Sequence, residues 1–346
     1  MADRLRVAVV GATGAVGPEV LRLLEQRRFP AAEVGAFASA RSAGSRVPFA
    51  GGELEVRELT DDALEGFDLA LFSAGAGTSR RFAPEAVRRG CVVVDKSSAF
   101  RLDPQVPLVV PEVNADTAGR HRGIVANPNC STIQLVTALK PLHDHARLTH
   151  VTIATYQAVS GTGARAVDEL REQSRDVLDG QPARPQVYPH PIAFNALPQC
   201  GEFEGADTNE ETKLVAETHK ILDAPEVGIA ATCVRVPVWR GHSEAVWIET
   251  EQPLSAGQAR ELLEQAPGVR VVDDPQTAAY PLASDASGTD DVLVGRIRED
   301  ASRRNGLALW VVSDNLRKGA ATNGLQIAEL LVERGLVRVP DAEAAA

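Results

Sequence analysis

Leu5-Arg6-Val7-Ala8-Val9-Val10 runs straight into Gly11-Ala12-Thr13-Gly14-Ala15-Val16-Gly17, and an apolar pattern of helical spacing occupies residues 18–27. An apolar strand, a glycine-rich turn and a helix in that order open a βαβ unit. The first glycine permits the tight turn, the second lets backbone amides approach a pyrophosphate, and the third allows the helix to pack closely on the strand. The helix N-terminus then faces the negative charge. Gly11, Thr13, Gly14, Ala15, Val16 and Gly17 are therefore candidate contacts to a dinucleotide. The spacing is G-x-x-G-x-x-G rather than the commoner G-x-G-x-x-G, and a purely structural turn is the competing reading.

Outward from this stretch the alternation continues, with strand patterns at 34–39, 68–73, 92–95 and 124–126 and a helical pattern at 83–89. It predicts a parallel sheet flanked by helices. The end of the second strand separates the two nicotinamide cofactors, because a carboxylate there serves the free ribose of NAD. Here stand Ser39, Ala40, Arg41 and Ser42. A guanidinium with hydroxyls beside it suits a 2′-phosphate, which predicts NADP, against the reading of Arg41 as a solvated loop charge.

From Leu148 the texture changes to longer, β-branched, alternating runs at 151–156, 230–238 and 245–250, broken by helical patterns at 164–178 and 209–222. These predict an α+β domain with a mixed, largely antiparallel sheet. Pro182, Pro185, Pro189, Pro191 and Pro198 deny regular structure to residues 180–198, since proline lacks the amide donor and restrains its predecessor. The fold class is thus an α/β Rossmann-type NADP-binding domain over residues 1–129 plus an α+β domain over 130–318. A C-terminal helix at about 319–340 packs back on the first domain, and the Ala-rich end is expected to fray.

The chain has 346 residues, 44% of them hydrophobic, which is more than one core usually organises. Lys+Arg 36 against Asp+Glu 47 gives a net charge of −11 without a basic run, so neither nucleic acid nor an anionic membrane is an expected partner. No apolar run approaches the ~20 residues of a membrane span. Met-Ala-Asp-Arg-Leu-Arg leads into the strand–glycine pattern rather than into a signal peptide, which places the protein in the cytoplasm as an expectation. Cys91, Cys130, Cys200 and Cys233 lack Cys-x-x-Cys spacing, so neither a disulfide framework nor a metal site is expected.

Cys130 lies in Asn127-Pro128-Asn129-Cys130-Ser131-Thr132, directly after a strand and at the head of a helical pattern. A thiol at a helix N-terminus sits in the positive end of the macrodipole, which favours the reactive thiolate. A buried structural cysteine is the competing reading, and the better one for Cys91, Cys200 and Cys233. A thiolate nucleophile needs a proton-transfer partner. Of the seven histidines, His242 stands out in Arg240-Gly241-His242-Ser243, a turn beside a sheet edge, with Arg235 on the preceding strand pattern. His143, His145, His150 and His219 read as solvent-exposed.

Gly-Ala-Thr-Gly-Ala-Val-Gly at 11–17, Ser-Ala-Phe-Arg at 98–101, Asn-Pro-Asn-Cys-Ser-Thr at 127–132, Tyr-Gln-Ala-Val-Ser-Gly at 156–161, His-Pro-Ile-Ala-Phe-Asn at 190–195, Arg-Val-Pro-Val at 235–238 and Gly-His-Ser at 241–243 together resemble the bacterial aspartate-semialdehyde dehydrogenases. The similarity spans nearly the whole chain. It implies Cys130 as the acyl-carrying nucleophile, His242 as general acid/base, and Gln157 orienting the acyl group. It also implies that Arg235 clamps the substrate carboxylate, Glu210 receives the amino group, and Arg101 and Lys213 hold phosphate. Asn315 would touch the cofactor near its nicotinamide end, with Ser160 and Gly161 beside it. The implied reaction is NADPH-dependent reductive dephosphorylation of L-4-aspartyl phosphate to L-aspartate 4-semialdehyde through a Cys130 thioester. It serves the biosynthesis of lysine through diaminopimelate, and of threonine, methionine and isoleucine, in a homodimer, which makes 130–318 the catalytic and dimerisation domain.

The residue types fit that chemistry independently. A guanidinium fork matches a carboxylate better than a lysine does. Glu210 and Lys213 share a helix face, although such a pair is ordinarily a surface ion pair. Two alternatives stand beside this reading: an N-acetylglutamyl-phosphate reductase-like enzyme, against which Glu210 argues because an acylated nitrogen carries no charge to pair, and a catalytically silent NADP-binding paralogue.

Overall fold

The computed structural model describes residues 5–338. It divides into two compact units, one running to Asn129 and resuming at Ala320, the other Cys130–Gly319.

In the first unit the strands are β1 (Leu5–Val10), β2 (Ala31–Ala38), β3 (Arg46–Phe49), β4 (Gly52–Glu58), β5 (Leu69–Phe72), β6 (Val92–Asp95) and β7 (Ile124–Ala126). They form one sheet in the order β3-β4-β2-β1-β5-β6-β7. Every pairing is parallel except β3 with β4. Burial on both faces explains the unbroken apolar runs: Val7 to Val10, Leu69 to Phe72 and Val92 to Asp95 are all buried. The helices are α1 (Gly17–Gln26), α2 (Ala76–Arg88) and a single turn, α3 (Pro111–Asn114).

In the second unit α4 (Cys130–Ala146) leads to strands β8 (Leu148–Gln157), β9 (Phe203–Glu204), β10 (Asp207–Thr208), β11 (Gly228–Arg235), β12 (His242–Thr250), β13 (Val269–Val271), β14 (Val292–Glu299) and β15 (Gly306–Ser313). Interspersed are helices α5 (Ala164–Leu178), α6 (Asn209–Leu222), α7 (Ala256–Gln265) and α8 (Ala283–Ala286). Six strands form a mixed sheet, β11-β8-β12-β15-β14-β13. Central β12 runs antiparallel to both neighbours. One sheet face packs against α4, α6 and α7 over a core of Leu135, Leu139, Ile153, Val246 and Val311.

Residues 180–198 are irregular but tied down: Gln173 Oε1 accepts the Ile192 and Ala193 amides, and Leu197 bridges Arg235. No helix among the described residues is long and apolar enough to cross a membrane.

Three local expectations change. The helix expected at 83–89 begins at Ala76, because Pro84 lies inside α2 rather than at its start. The C-terminal helix, α9 (Asn323–Glu333), follows a π-helical turn at Arg317–Thr322 and packs on α1, β5 and β6 of the first unit. It stops well short of 340 because Gly335 takes φ +67° and closes a Schellman motif, Leu336 N–H donating to Leu331 O (2.7 Å) and Gly335 N–H to Val332 O (3.1 Å). Residues 339–340 and the Ala-rich end expected to fray lie outside the described residues. His242 occupies no edge turn but the first position of β12, two strands in from the β11 edge.

Candidate active site

A cavity of about 530 Å³ opens over the C-terminal ends of β1, β2 and β5, lined among others by Gly11, Thr13, Gly14, Ser39, Arg41 and Ser42. Backbone proximity dictates two of the glycines. Gly11 has φ +83° and a Cβ there would lie 2.8 Å from the Ser73 backbone, while a Cβ on Gly17 would lie 2.4 Å from Gly11 O. Gly11 therefore makes the turn and Gly17 seats α1 on β1. Ala15 and Val16 are not among the lining residues. The segment after β5, including Ser73, Gly75 and Thr78, lines the cavity as well and was missed from the sequence; its Ser73-Ala74-Gly75-Ala76-Gly77-Thr78 composition is the signal. No carboxylate lines this volume. Glycine backbone, hydroxyls and a guanidinium fit a phosphorylated dinucleotide.

Arg101, also in the first unit, is no ordinary loop charge. It is 7% exposed, and its guanidinium donates to Lys96 O and to Asn127 O (3.0 Å). Its loop is anchored by buried Asp95, whose carboxylate accepts from Ser79 Oγ and Ser97 Oγ, each at 2.7 Å.

In the second unit the strand register assembles the other candidates. Arg235 pairs with Gln157 across β11 and β8, and His242 with Ser313 across β12 and β15. The Ser243–Tyr156 pairing brings His242 level with Gln157. Arg235, Gln157, His242 and Ser313 thus form one transverse row on the face that α4 covers. All four are buried.

Ala158, the residue after Gln157, orients two of them through its backbone: its N–H donates to His242 Nδ1 (3.0 Å) and its carbonyl accepts from Arg235 Nη1 (2.8 Å). With Nδ1 accepting, the neutral ring carries its hydrogen on Nε2, a tautomer inferred from the hydrogen bond. A Cβ on Gly161 would lie 3.2 Å from both Arg235 Nη1 and His242 Nε2, so Gly161 touches the same pair.

Gln157 Nε2 donates to Ser131 Oγ (3.1 Å) and reaches Glu210 Oε1 (3.4 Å). Ser131 follows Cys130, the first residue of α4, so the thiol's helix is tied to the row. Gly319 closes against Cys130, since a Cβ there would lie 2.8 Å from Cys130 Cβ. Glu210 and Lys213 form an ion pair at 3.9 Å on α6. That helix is fixed by a capping box, Thr208 with Glu211, and by Glu211 Oε1 accepting the Cys233 amide at 2.8 Å. Asn315 bridges the remaining loops, donating to Ser160 Oγ (3.0 Å) and accepting Gly241 N–H (2.9 Å). Buried Asp314 beside it accepts Arg240 Nε at 2.7 Å.

Known proteins compare as follows. Residues 6–121 match the model of the semialdehyde dehydrogenase NAD-binding domain, and residues 139–318 that of the semialdehyde dehydrogenase dimerisation domain. Aspartate-semialdehyde dehydrogenase of Aquifex aeolicus is 51% identical, with 96% of this chain and 99% of the relative covered. The Legionella pneumophila enzyme is 52% identical over 98% of this chain and 99% of its own. This chain belongs to the aspartate-semialdehyde dehydrogenase family. Among solved structures, aspartate semialdehyde dehydrogenase II from Vibrio cholerae has 46% identity and a TM-score of 0.93, covering 96% of this chain and 99% of that one. The same protein complexed with ASA also has a TM-score of 0.93, with 45% identity, 96% of this chain and 99% of that one covered.

Family membership leaves the other thiols and imidazoles to be placed. Burial pushes the thiols of Cys91 and Cys200 up to about 12 and raises that of Cys233 too, so all three stay protonated near neutrality. Arg235, Glu210 and Cys130 lie close enough to act electrostatically on Cys200. Of the histidines expected in solvent only His145 is exposed; His143, His150 and His219 are half-buried. His219 Nε2 meets Val227 O at 2.7 Å, and burial holds the His143 imidazole below the ordinary range. Helix and strand ends pack in this domain, and these side chains pack with them.

Proposed function

We propose that this protein catalyses NADPH-dependent reductive dephosphorylation of L-4-aspartyl phosphate to L-aspartate 4-semialdehyde, the thioester being carried on Cys130. The observation that carries the reading is the transverse row. It supplies a carboxylate clamp, an amide and an imidazole in fixed register beside the helix that Cys130 begins. The Cys130 thiolate attacks the β-carbonyl, the C–O bond to phosphate breaks, and a thioester forms. When bound, the cofactor supplies the hydride that reduces the thioester carbonyl. The His242 Nε2–H hydrogen-bonds to the oxygen as negative charge develops on it, and the tetrahedral adduct then collapses with breakage of the C–S bond, releasing aldehyde and the Cys130 thiolate.

Arg235 presents the substrate carboxylate with the edge its Ala158 contact leaves over. Its buried Nε has no hydrogen-bond partner among the described residues, as a fork awaiting a carboxylate requires. Glu210 meets the ammonium, an arrangement that an N-acylated substrate would leave unpaired. Gln157 orients the acyl group, and Arg101 and Lys213 are assigned to the phosphate. Asn315, Ser160 and Gly161 are assigned to the nicotinamide end, and Gly11, Thr13, Gly14, Ser39, Arg41 and Ser42 to the rest of the dinucleotide. NADP is the preferred form, because Arg41 stands where no carboxylate would repel a 2′-phosphate.

The chain acts as a homodimer. Tyr156 and Trp247, each 38% exposed, lie on the sheet face opposite the row, and the Tyr156 and Trp310 rings are 5.4 Å apart. A second copy covering that face removes this apolar surface from water. The cytoplasm suits cysteines that form no disulfide among the described residues. The deciding experiment is reduction of NADP⁺ with aspartate semialdehyde, with and without inorganic phosphate. Turnover that needs phosphate supports the reading; turnover of N-acetylglutamate semialdehyde instead, or of neither aldehyde, overturns it.

A further inference from the structure

The buried residues of α5 are Ala166, Glu169, Leu170 and Gln173, a single stripe of which half is polar. Ala166 and Leu170 pack with Val159, Ile192, Ala193 and Leu197, as the inner face of a helix does. Glu169 and Gln173, one turn apart, have another task. Residues 184–196 run past this stripe as neither helix nor strand, and buried backbone without a ladder needs side-chain partners for its amides and carbonyls. Gln173 supplies them. Its Oε1 accepts the N–H groups of Ile192 (2.9 Å) and Ala193 (3.1 Å), and its Nε2 donates to Arg184 O (3.1 Å) and to Glu169 Oε1 (2.9 Å). The other Glu169 oxygen accepts the Val187 N–H. A primary amide offers the donors and acceptor of a peptide group, so Gln173 stands in for the missing neighbouring strand.

This strap ends on Arg235. β11 is the edge of its sheet, and Arg235 is its last residue. On the inner side Val236 N–H donates to Gln157 O (3.0 Å), while on the open side Arg235 N–H donates to Leu197 O (2.8 Å) and Leu197 N–H to Arg235 O (2.9 Å). Leu197 thus closes the edge at the one residue assigned to the substrate carboxylate. Between Ala193 and Leu197 the backbone turns through Phe194, which has φ +57° and is 65% exposed. A bulky residue in left-handed backbone persists only where its neighbours fix it. Gln173 holds the two residues before it, and Asn195 holds the turn itself, donating to Pro191 O (3.0 Å) and accepting Ala196 N–H (2.9 Å).

We propose that Gln173 is a positioning residue for substrate recognition: it pins the strap whose Leu197 fixes the backbone of Arg235, and with it the direction of the guanidinium. The inference rests on Arg235 being the carboxylate clamp. Ala158 O ties one corner of that guanidinium, so the direction of the free edge follows from where the strand end sits. A displacement of about 1 Å there costs on the order of 10²-fold in rate.

Two variants test this in the full-length protein. Gln173→Met keeps the length of the side chain and removes its hydrogen bonds; Glu169→Gln combined with Gln173→Glu exchanges donor and acceptor across the pair and keeps an acceptor for the Ile192 and Ala193 amides. Gln173→Met should lower kcat/KM for the semialdehyde ~10-fold with the KM for NADP and for phosphate within about 2-fold, and the exchanged pair should return to within about 3-fold of wild type. In an Arg235→Lys background Gln173→Met should cost less than about 2-fold more, because the fork it positions is already gone. Hydrogen exchange in peptides spanning 192–197 and 233–236 should speed up about 5-fold or more in Gln173→Met, with the β15 peptide unchanged. Losses that multiply with those of Arg235→Lys, equal losses for all three substrates, an exchanged pair no better than Gln173→Met, or unaltered exchange at 233–236 would each overturn the proposal. Should Gln173→Met not fold, Gln173→Asn, whose amide falls one methylene short of the strap, is read by the same criteria. A wild type that turns over no semialdehyde would sink the proposed activity instead, and the exchange rates would still decide whether Gln173 holds the end of β11.

Discussion

The glycine-lined cavity and the transverse row hold polar groups in place by opposite means. In the cavity, three loop segments, around residues 10–14, 38–42 and 73–82, bring glycine backbone and short or flexible side chains to the edge of an open volume. In the row, residues as distant as Gln157 and Ser313 become neighbours only through strand pairing, and every member is buried. A contact in the cavity can be removed with little effect on the next. The row is coupled, because Ala158 orients Arg235 and His242 together and Gln157 touches both Ser131 and Glu210. Variants in it should therefore be far from additive.

The largest expected effect tests the helix head beside the row. Cys130→Ser and Cys130→Ala should fold normally and lose at least ~10³-fold in kcat, since the remaining three thiols are buried and held protonated. Mass spectrometry of wild type quenched during turnover should find one acyl adduct, on Cys130; an adduct on Cys200 would move the chemistry to the neighbouring thiol.

Next comes the row's recognition end. Arg235→Lys keeps the charge but loses both the planar fork and the fixed bond to Ala158 O, and should lower kcat/KM for the semialdehyde on the order of 10²-fold with little change in the KM for NADP. A variant that instead altered the cofactor KM would break the contrast between the two regions. In the cavity the counterpart is Arg41→Ala, where loss of one exposed charge-assisted contact of ~1.5 kcal/mol should raise the KM for NADP roughly 10-fold and leave NAD nearly unaffected. Equal effects on the two cofactors would show that Arg41 does not read the 2′-phosphate.

The same contrast explains what could be read in advance. A glycine turn after an apolar strand is a local signal, and the dinucleotide loop, Arg41 and the helix head at Cys130 were all legible from neighbours in sequence. Register is not local. His242 looked like a turn residue because Arg240-Gly241 precedes it and the clear apolar alternation starts only at Ala245, whereas β12 begins at His242 itself. The full burial of Glu244 on β12 was invisible for a related reason: a glutamate in an alternating strand reads as the solvent face, and only the covering helix reveals that this face is the inner one. Arg101 gave no sign of its burial, which comes from backbone carbonyls of two separate segments. The histidines at element ends were misjudged because polar flanks do not report packing.

The smallest expected effect is thermodynamic and separates the two regions by pH. Full burial raises the Glu244 carboxyl in the folded state well above the ordinary glutamate value of about 4.5 that the unfolded chain keeps. A folded-state value raised above the unfolded one means that the native state binds more protons, so stability declines as pH rises from there toward the folded value. Glu244→Gln removes that proton linkage without changing shape. Its melting temperature should exceed that of wild type at pH 7–8, each kcal/mol reading as roughly 2–4 °C in a chain of this size, and the gap should close as the pH falls toward about 4.5. Arg41→Ala, in the open cavity, should show no such pH-dependent gap. If the Glu244→Gln difference were flat across this range, the carboxyl would be ionised in both states, and a cationic partner would have to stand beside it on the inner face of the sheet.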